Sequence, residues 1–381
     1  MEMIHSDHII SKTLKISRQE ILDDFLLMNI SRNISYIGRK EVFMGRAKFG
    51  VFGDGKELPQ IAMSKFFRNG DFRSGYYRDQ TFMMSIDQLT PDQFFAQLYA
   101  HTDINKDPHS GGRQMNCHFG TRLLNEKGEW KTQTDMMNSS SDVSCVSGQM
   151  PRIVGLAYAS KLFRNNKELS DMQNFSINGN EVIFGTIGDA STSEGHFWEA
   201  INACGVLQVP LVMSIWDDGY GISVPSEYHT TRNDLSKVLS GFQRSSEKEN
   251  GFEIFTVNAW DYIDLIKTYE KAVRISREDH VPCIIHVKDV TQPQGHTTSG
   301  SHERYKSEER LKWEKDFCCI KKMKEWILEN EYASYKEVEK LEKDAEIIAK
   351  KSRDKSWKSY RDDIKEDLDD ALTVITRVAQ N

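Results

Sequence analysis

Residues 181–195, "EVIFGTIGDASTSEG", and 210–223, "PLVMSIWDDGYGIS", share one pattern: an apolar run empties into a turn of small residues that carries carboxylates. Short apolar runs bounded by glycine and small polar residues read as buried strands, and "EGHFWEAINACGVL" between them reads as a helix. Outward from this strand–helix–strand unit, "MPRIVGLAYASKLF" reads as helix, "FEIFTVN" as strand, "DYIDLIKTYEKAVRIS" as helix and "PCIIHVKD" as strand. The alternation predicts an α/β fold whose mainly parallel sheet is covered by helices on both faces. Such sheets bind ligands beyond the carboxyl ends of their strands, where both acidic turns would lie.

The flanks are helical. Ser17 and Glu20 form a capping-box pattern ahead of "ILDDFLLMNISRNISYI", and Thr90 with Pro91 starts a second helix, "PDQFFAQLYAHTD". Residues 44–82 read as loops and short helices, and "DINKDPHSGGRQMNCHFG" at 103–120 as exposed loop. From about residue 305 the chain is charged and helical, most of its charge on a solvated face. The expected division is an N-terminal helical extension (1–45), an α/β domain (46–305) and a charged helical C-terminal extension (306–381).

A chain of 381 residues with a net charge of −7 argues against a surface built for nucleic acid, whose phosphates need clustered positive charge. No segment is apolar enough to span a membrane, and six cysteines without paired metal spacing suit a reducing compartment, so the expected location is cytoplasmic. The G-x-G-x-x-G fingerprint is missing from the first acidic turn, which weakens a nicotinamide reading. That turn offers Gly188 to release the strand, Asp189 as a hard oxygen ligand, and Ala190 and Ser191 small enough for backbone amides to approach an anion. The helix from about Glu194 would aim its N-terminus at the same anion. Asp218 lies at the end of the next strand, and two carboxylates with a backbone carbonyl suit magnesium held on a substrate diphosphate. The plainer reading makes Asp189 and Asp217–Asp218 turn formers and caps.

G-D-x-x-x-x-E-G, a helix, a strand and then a ligand-type doublet about thirty residues on resembles the thiamine diphosphate-binding motif, whose usual form is G-D-G followed by Asn-Asn. "GYYRDQTF" (75–82), "SGGRQMNCHFG" (110–120), "SGQMPRIVGLAYASK" (147–161), "GYGISVPSEYH" (219–229) and "GHTTSGSHERYK" (295–306) extend the likeness. In this order they resemble the α subunit of the thiamine-dependent component of branched-chain 2-oxo acid dehydrogenase complexes. The resemblance implies a thiamine diphosphate-binding fold and decarboxylation of a 2-oxo acid, followed by acyl transfer to a lipoyl group of an acyltransferase partner. It implies Asp189, Asp218 and the Tyr220 carbonyl as magnesium ligands, and Tyr77, Arg78, Ser144, Val146, Gly188, Ala190, Ser191 and His296 as further cofactor contacts. Gln149 falls near a monovalent-cation (K+) site, His296 and His118 are the implied catalytic histidines, and Thr297 matches a regulatory serine position.

Three positions depart from the family pattern: Ala190 replaces a glycine, Asp217–Asp218 replaces Asn-Asn, and Trp216 stands where Arg or Glu is common. No second strand–helix series follows residue 290, so the glutamate that activates the cofactor's pyrimidine is expected from a β subunit or a fused β domain. Pyruvate or acetoin as substrate, a non-catalytic cofactor-binding subunit, and a magnesium phosphohydrolase are the rival readings.

Overall fold

The computed structural model describes residues 16–298 and 300–380. In chain order it forms α1 (Arg18–Phe43), α2 (Glu57–Ser64), β1 (Phe72–Ser74), α3 (Gln80–Ser85), α4 (Pro91–Leu98), β2 (Asn138–Ser139), α5 (Met150–Asn165), β3 (Ile183–Gly188) and α6 (Gly195–Leu207). There follow β4 (Leu211–Trp216), the hairpin β5 (Tyr220–Gly221) and β6 (Val224–Pro225), α7 (Leu235–Leu239), β7 (Glu253–Asn258), α8 (Tyr262–Asp279) and β8 (Cys283–Lys288). The helices α9 (Glu308–Asp316), α10 (Cys319–Glu329) and α11 (Tyr335–Ala379) complete the described chain. Both predicted capping patterns form, Ser17 with Glu20 on α1 and Thr90 with Gln93 on α4.

Six strands pair in the order β2-β1-β3-β4-β8-β7, all parallel. Side chains alternate between two cores, as the two-residue period of a strand requires. On β4, Leu211, Met213 and Ile215 join the cluster formed with α5 and α6, while Val212 and Trp216 join the cluster that holds α1, α2 and α8. The sheet is therefore covered on both faces. Its first two strands are the elements that the sequence reading lacks, because three and two residues carry no readable period.

The 103–120 segment departs from its expected exposure. It is irregular backbone, but Asp107, Ser110 and the run Asn116–Gly120 are buried. Asp107 accepts from the Ser110 hydroxyl at 2.6 Å and the Gly112 amide at 3.0 Å, and Gln97 of α4 bonds both the Cys117 amide (2.6 Å) and the His118 carbonyl (2.7 Å). Buried polar groups of the loop are satisfied partly within it and partly by Gln97, in a segment that a composition reading takes for surface. Helix α1 packs along α11, and the two share a core with α4; from Arg361 onward α11 is exposed on all sides.

Candidate functional site

Strand register brings the two acidic turns together. Gly188 pairs with Trp216 at the ends of β3 and β4, and the Asp189 amide donates to the Trp216 carbonyl at 3.2 Å. Beyond these ends lies a cavity of about 480 Å³, a size suited to a cofactor. It is lined by Tyr77, Arg78, His118, Ser144, Val146, Gly188, Asp189, Ala190, Ser191, Asp218, Tyr220 and His296, the residues that the sequence nominates for catalysis, cofactor contact and magnesium.

A buried ion network holds the Tyr76–Arg78 turn in place. Arg73 of β1 is fully buried and bonds Asp79 at 2.8 Å, Asp142 at 3.0 Å and the Tyr76 carbonyl at 3.1 Å. Asp142 also accepts from the Phe119 amide at 3.0 Å, which fixes the residue after His118. Arg78 then donates to the carbonyls of Phe52 (2.6 Å) and His296 (2.9 Å), and its guanidinium lies over the Tyr77 ring. His118 stacks on Tyr77 and bonds the Asn116 carbonyl through Nδ1 at 3.1 Å. In its neutral form that bond leaves Nε2 to accept from the Ser144 hydroxyl, 3.0 Å away.

The acidic cluster is unevenly partnered. Asp217 is not part of the cavity lining; its carboxylate lies 2.7 Å from His286 Nε2 and accepts from the Gly219 amide at 3.0 Å. Asp218 meets His296 Nε2 at 3.0 Å and Lys56 Nζ at 3.3 Å, and accepts from the Tyr220 amide at 3.2 Å. Burial alone would raise the Asp218 pKa, but His296 and Lys56 outweigh it and hold the carboxyl well below its usual range. Asp189 has no such cation: its Oδ2 is buried without a hydrogen-bond partner, and His229 stands 4.0 Å off. Burial first, then the charges of Asp218 and Asp217, push its pKa well above the ordinary value.

His296 uses Nε2–H for Asp218, so Nδ1 is its open nitrogen, buried and without a partner. Burial lowers its pKa against the pull of Asp218, which favours the neutral ring. The loop that carries it is tied to α1, where Arg39 donates to the carbonyls of Gln294, Thr297 and Gly300. Trp216 lines the same cavity, and its buried indole N–H is also unpartnered.

One expectation changes. The anion would meet a 3-10 turn, Ala190–Ser193, that intervenes before α6; the α6 residues do not line the cavity. Gln149 donates its amide to the Thr186 carbonyl at 2.9 Å and lies outside the cavity lining. Ala190 fits where a glycine is usual because Gly221 faces it: a Cβ at 221 would lie 2.8 Å from the Ala190 methyl. Lys56 is the residue that sequence reading missed. It caps α2 after Gly55, whose φ of +93° and place against the Thr291 carbonyl, 1.8 Å from a built Cβ, admit only glycine. The available signal was the aspartate at 218, a buried anion that requires a cation.

A parallel sheet with carboxylates, an arginine and orphaned buried donors and acceptors at its carboxyl edge defines a site for an anionic cofactor held through a cation. Among the described residues, no group of three or more His, Cys, Asp or Glu side chains forms a complete metal centre, so the anion would have to supply ligands itself. The family "Dehydrogenase E1 component" matches residues 27–362, and the chain belongs to it. Its fold is the α/β thiamine diphosphate-binding fold of these enzymes. The chain is 25% identical over 275 residues to 2-oxoisovalerate dehydrogenase subunit alpha of Bacillus subtilis, covering 72% of each protein. It is 24% identical to the mitochondrial human protein of the same name, covering 79% of this chain and 58% of that one. The pyruvate dehydrogenase E1 component subunit alpha of Rickettsia bellii is 27% identical, with 54% of this chain and 56% of that protein covered.

Proposed function

We propose that the chain is the α part of a thiamine diphosphate-dependent 2-oxo acid dehydrogenase acting on branched-chain 2-oxo acids. The observation that carries this reading is one cavity lined by all the residues nominated for catalysis, cofactor contact and magnesium. Three lining residues carry buried, unpartnered polar atoms: Asp189 Oδ2, Trp216 Nε1 and His296 Nδ1. Such orphans cost stability unless a ligand satisfies them, and a magnesium-bound diphosphate supplies a cation for Asp189 and acceptor oxygens for donors.

In this reading Asp189, Asp218 and the Tyr220 carbonyl hold Mg2+, and Arg78 with Tyr77 faces the diphosphate. Bound thiamine diphosphate supplies the carbanion chemistry and electron sink that decarboxylation needs. The chain's own work is orientation and proton handling. His296 Nδ1 is the ring nitrogen of the cavity with no competing bond, its ring fixed by Asp218, and His118, pinned through Ser144 and Asn116, is the second proton carrier. A K+ ion near Gln149 belongs to the proposal as a support of the Thr186 carbonyl.

A β partner that supplies the pyrimidine-activating glutamate and a lipoyl-bearing acyltransferase complete the proposed assembly. We place it in the cytoplasm on the strength of six unbridged cysteines. Among the described residues no helix is long and apolar enough to cross a membrane. The test is 2-oxo acid-dependent dye reduction by the chain with a β partner, across branched-chain acids, pyruvate and acetoin. Fastest turnover with a branched-chain acid supports the reading; fastest turnover with pyruvate replaces the substrate, and no turnover with any acid rejects it.

A further inference from the structure

Lys56 and Asp218 come from segments 162 positions apart and meet inside the protein, with 1% and 3% of their side chains exposed. Lys56 Nζ also donates to Gln292 Oε1 at 2.6 Å, and the remaining charges that act on it are Arg78 and Asp54. Two buried partners within bonding distance of a fully buried ammonium make this a fixed position rather than a surface lysine folded inward. Each acidic side chain at the cavity edge then has a distinct assignment. Asp217 is answered by His286 and Asp218 by Lys56 and His296, which leaves Asp189 as the carboxylate with an open oxygen.

Resting on the cofactor reading above, we propose that Lys56 is the resident counter-ion that allows an aspartate to serve at position 218, the pair acting as one neutral unit beside the diphosphate. An aspartate alone would add a negative charge beside an anionic cofactor, and in a buried site that repulsion is weakly screened. With Lys56 in contact, the pair presents a carboxylate oxygen as ligand at no net charge, as an uncharged amide would. Lys56 is thus a positioning residue: it acts through Asp218, orienting the carboxylate and setting the charge that cation and diphosphate meet. Its place in the turn depends on Gly55, so the device is built into the backbone before α2.

The test is a double-mutant cycle in the full chain with Lys56→Gln, Asp218→Asn and the double variant, read by thermal melting without cofactor and by calorimetric titration of thiamine diphosphate in saturating Mg2+. Lys56→Gln strands a buried carboxylate; it should melt lower and weaken cofactor binding by about tenfold or more. Asp218→Asn strands a buried ammonium and should also melt lower. The double variant should recover the melting temperature and bring affinity back to within about threefold of the parent, because the neutral balance is restored. A double variant no tighter than Lys56→Gln overturns the proposal, as does a Lys56→Gln variant that melts low yet binds like the parent. If Lys56→Gln does not fold, affinity in the double variant still decides. Failure of the unmodified chain to bind thiamine diphosphate both with and without a β partner would reject the cofactor reading instead, and the melting cycle alone would then report the coupling of the pair.

Discussion

Replacing Asp189 with asparagine should stabilise the cofactor-free protein while weakening the site. In the native structure its carboxylate is buried, has an oxygen without a hydrogen bond, and faces the charges of Asp218 and Asp217. A raised folded-state pKa means that the folded protein holds this proton more tightly than the unfolded chain, so stability falls as pH rises from the unfolded value toward the folded one. At neutral pH this buried carboxyl is therefore a liability. A buried unsatisfied charge costs more than a buried amide, and Asp189→Asn removes the charge and its repulsion from Asp218 and Asp217, for an expected gain of about 1–3 kcal/mol. A chain of 381 residues unfolds with an entropy of about 0.8 kcal/mol/K, which converts the gain to a rise of about 1–4 °C in melting temperature. The same change removes a hard anionic ligand, so thiamine diphosphate with Mg2+ should bind at least about tenfold more weakly and add less stabilisation at fixed ligand concentration. The assay is differential scanning fluorimetry with and without cofactor and Mg2+, backed by calorimetry. A lower melting temperature without cofactor, or unchanged binding, would refute the reasoning, because either would make Asp189 a structural residue.

Three further outcomes follow from the geometry. His296→Ala removes the ring that spans Asp218 and the cavity and should lower oxo acid-dependent dye reduction by about 10²–10⁴-fold, with cofactor binding retained in calorimetry. Arg73→Met leaves Asp79 and Asp142 buried without their cation, for a loss of about 3–5 kcal/mol, or about 4–6 °C by the same entropy. His280, held by burial at a pKa of about 4, stays neutral in the folded state while the unfolded chain takes up a proton; its contribution is complete above the ordinary histidine value and is lost as pH falls toward 4. His280→Asn, which suits the left-handed backbone there, should flatten the urea-unfolding stability profile between about pH 4 and 6.5 by up to one proton of slope.

The two strand exits were readable because an apolar run ending in Gly-Asp leaves few alternatives, and the register of β3 with β4 brings both to one edge. The capping box at Ser17 and the Thr90–Pro91 helix start were readable for a similar reason: the signal is local. Burial of the loop around His118 was hidden because its polar residues are satisfied by Gln97 and Asp142 from distant segments. Lys56 was hidden for the same reason, since "DGKE" reads as a solvated turn until Asp218 is brought against it. The 3-10 turn after Asp189 was also not legible, because Ala-Ser-Thr-Ser suits a cap, a turn or a first helical turn alike.

Calorimetric titration of thiamine diphosphate into the full chain, with Mg2+ and then with EDTA, in the presence and absence of a β partner, tests the central claim most directly. The account predicts one cofactor site per chain, dependent on Mg2+ and abolished by Asp189→Asn together with Asp218→Ala. Absence of binding under every condition, or binding indifferent to Mg2+ and to both aspartates, would contradict it.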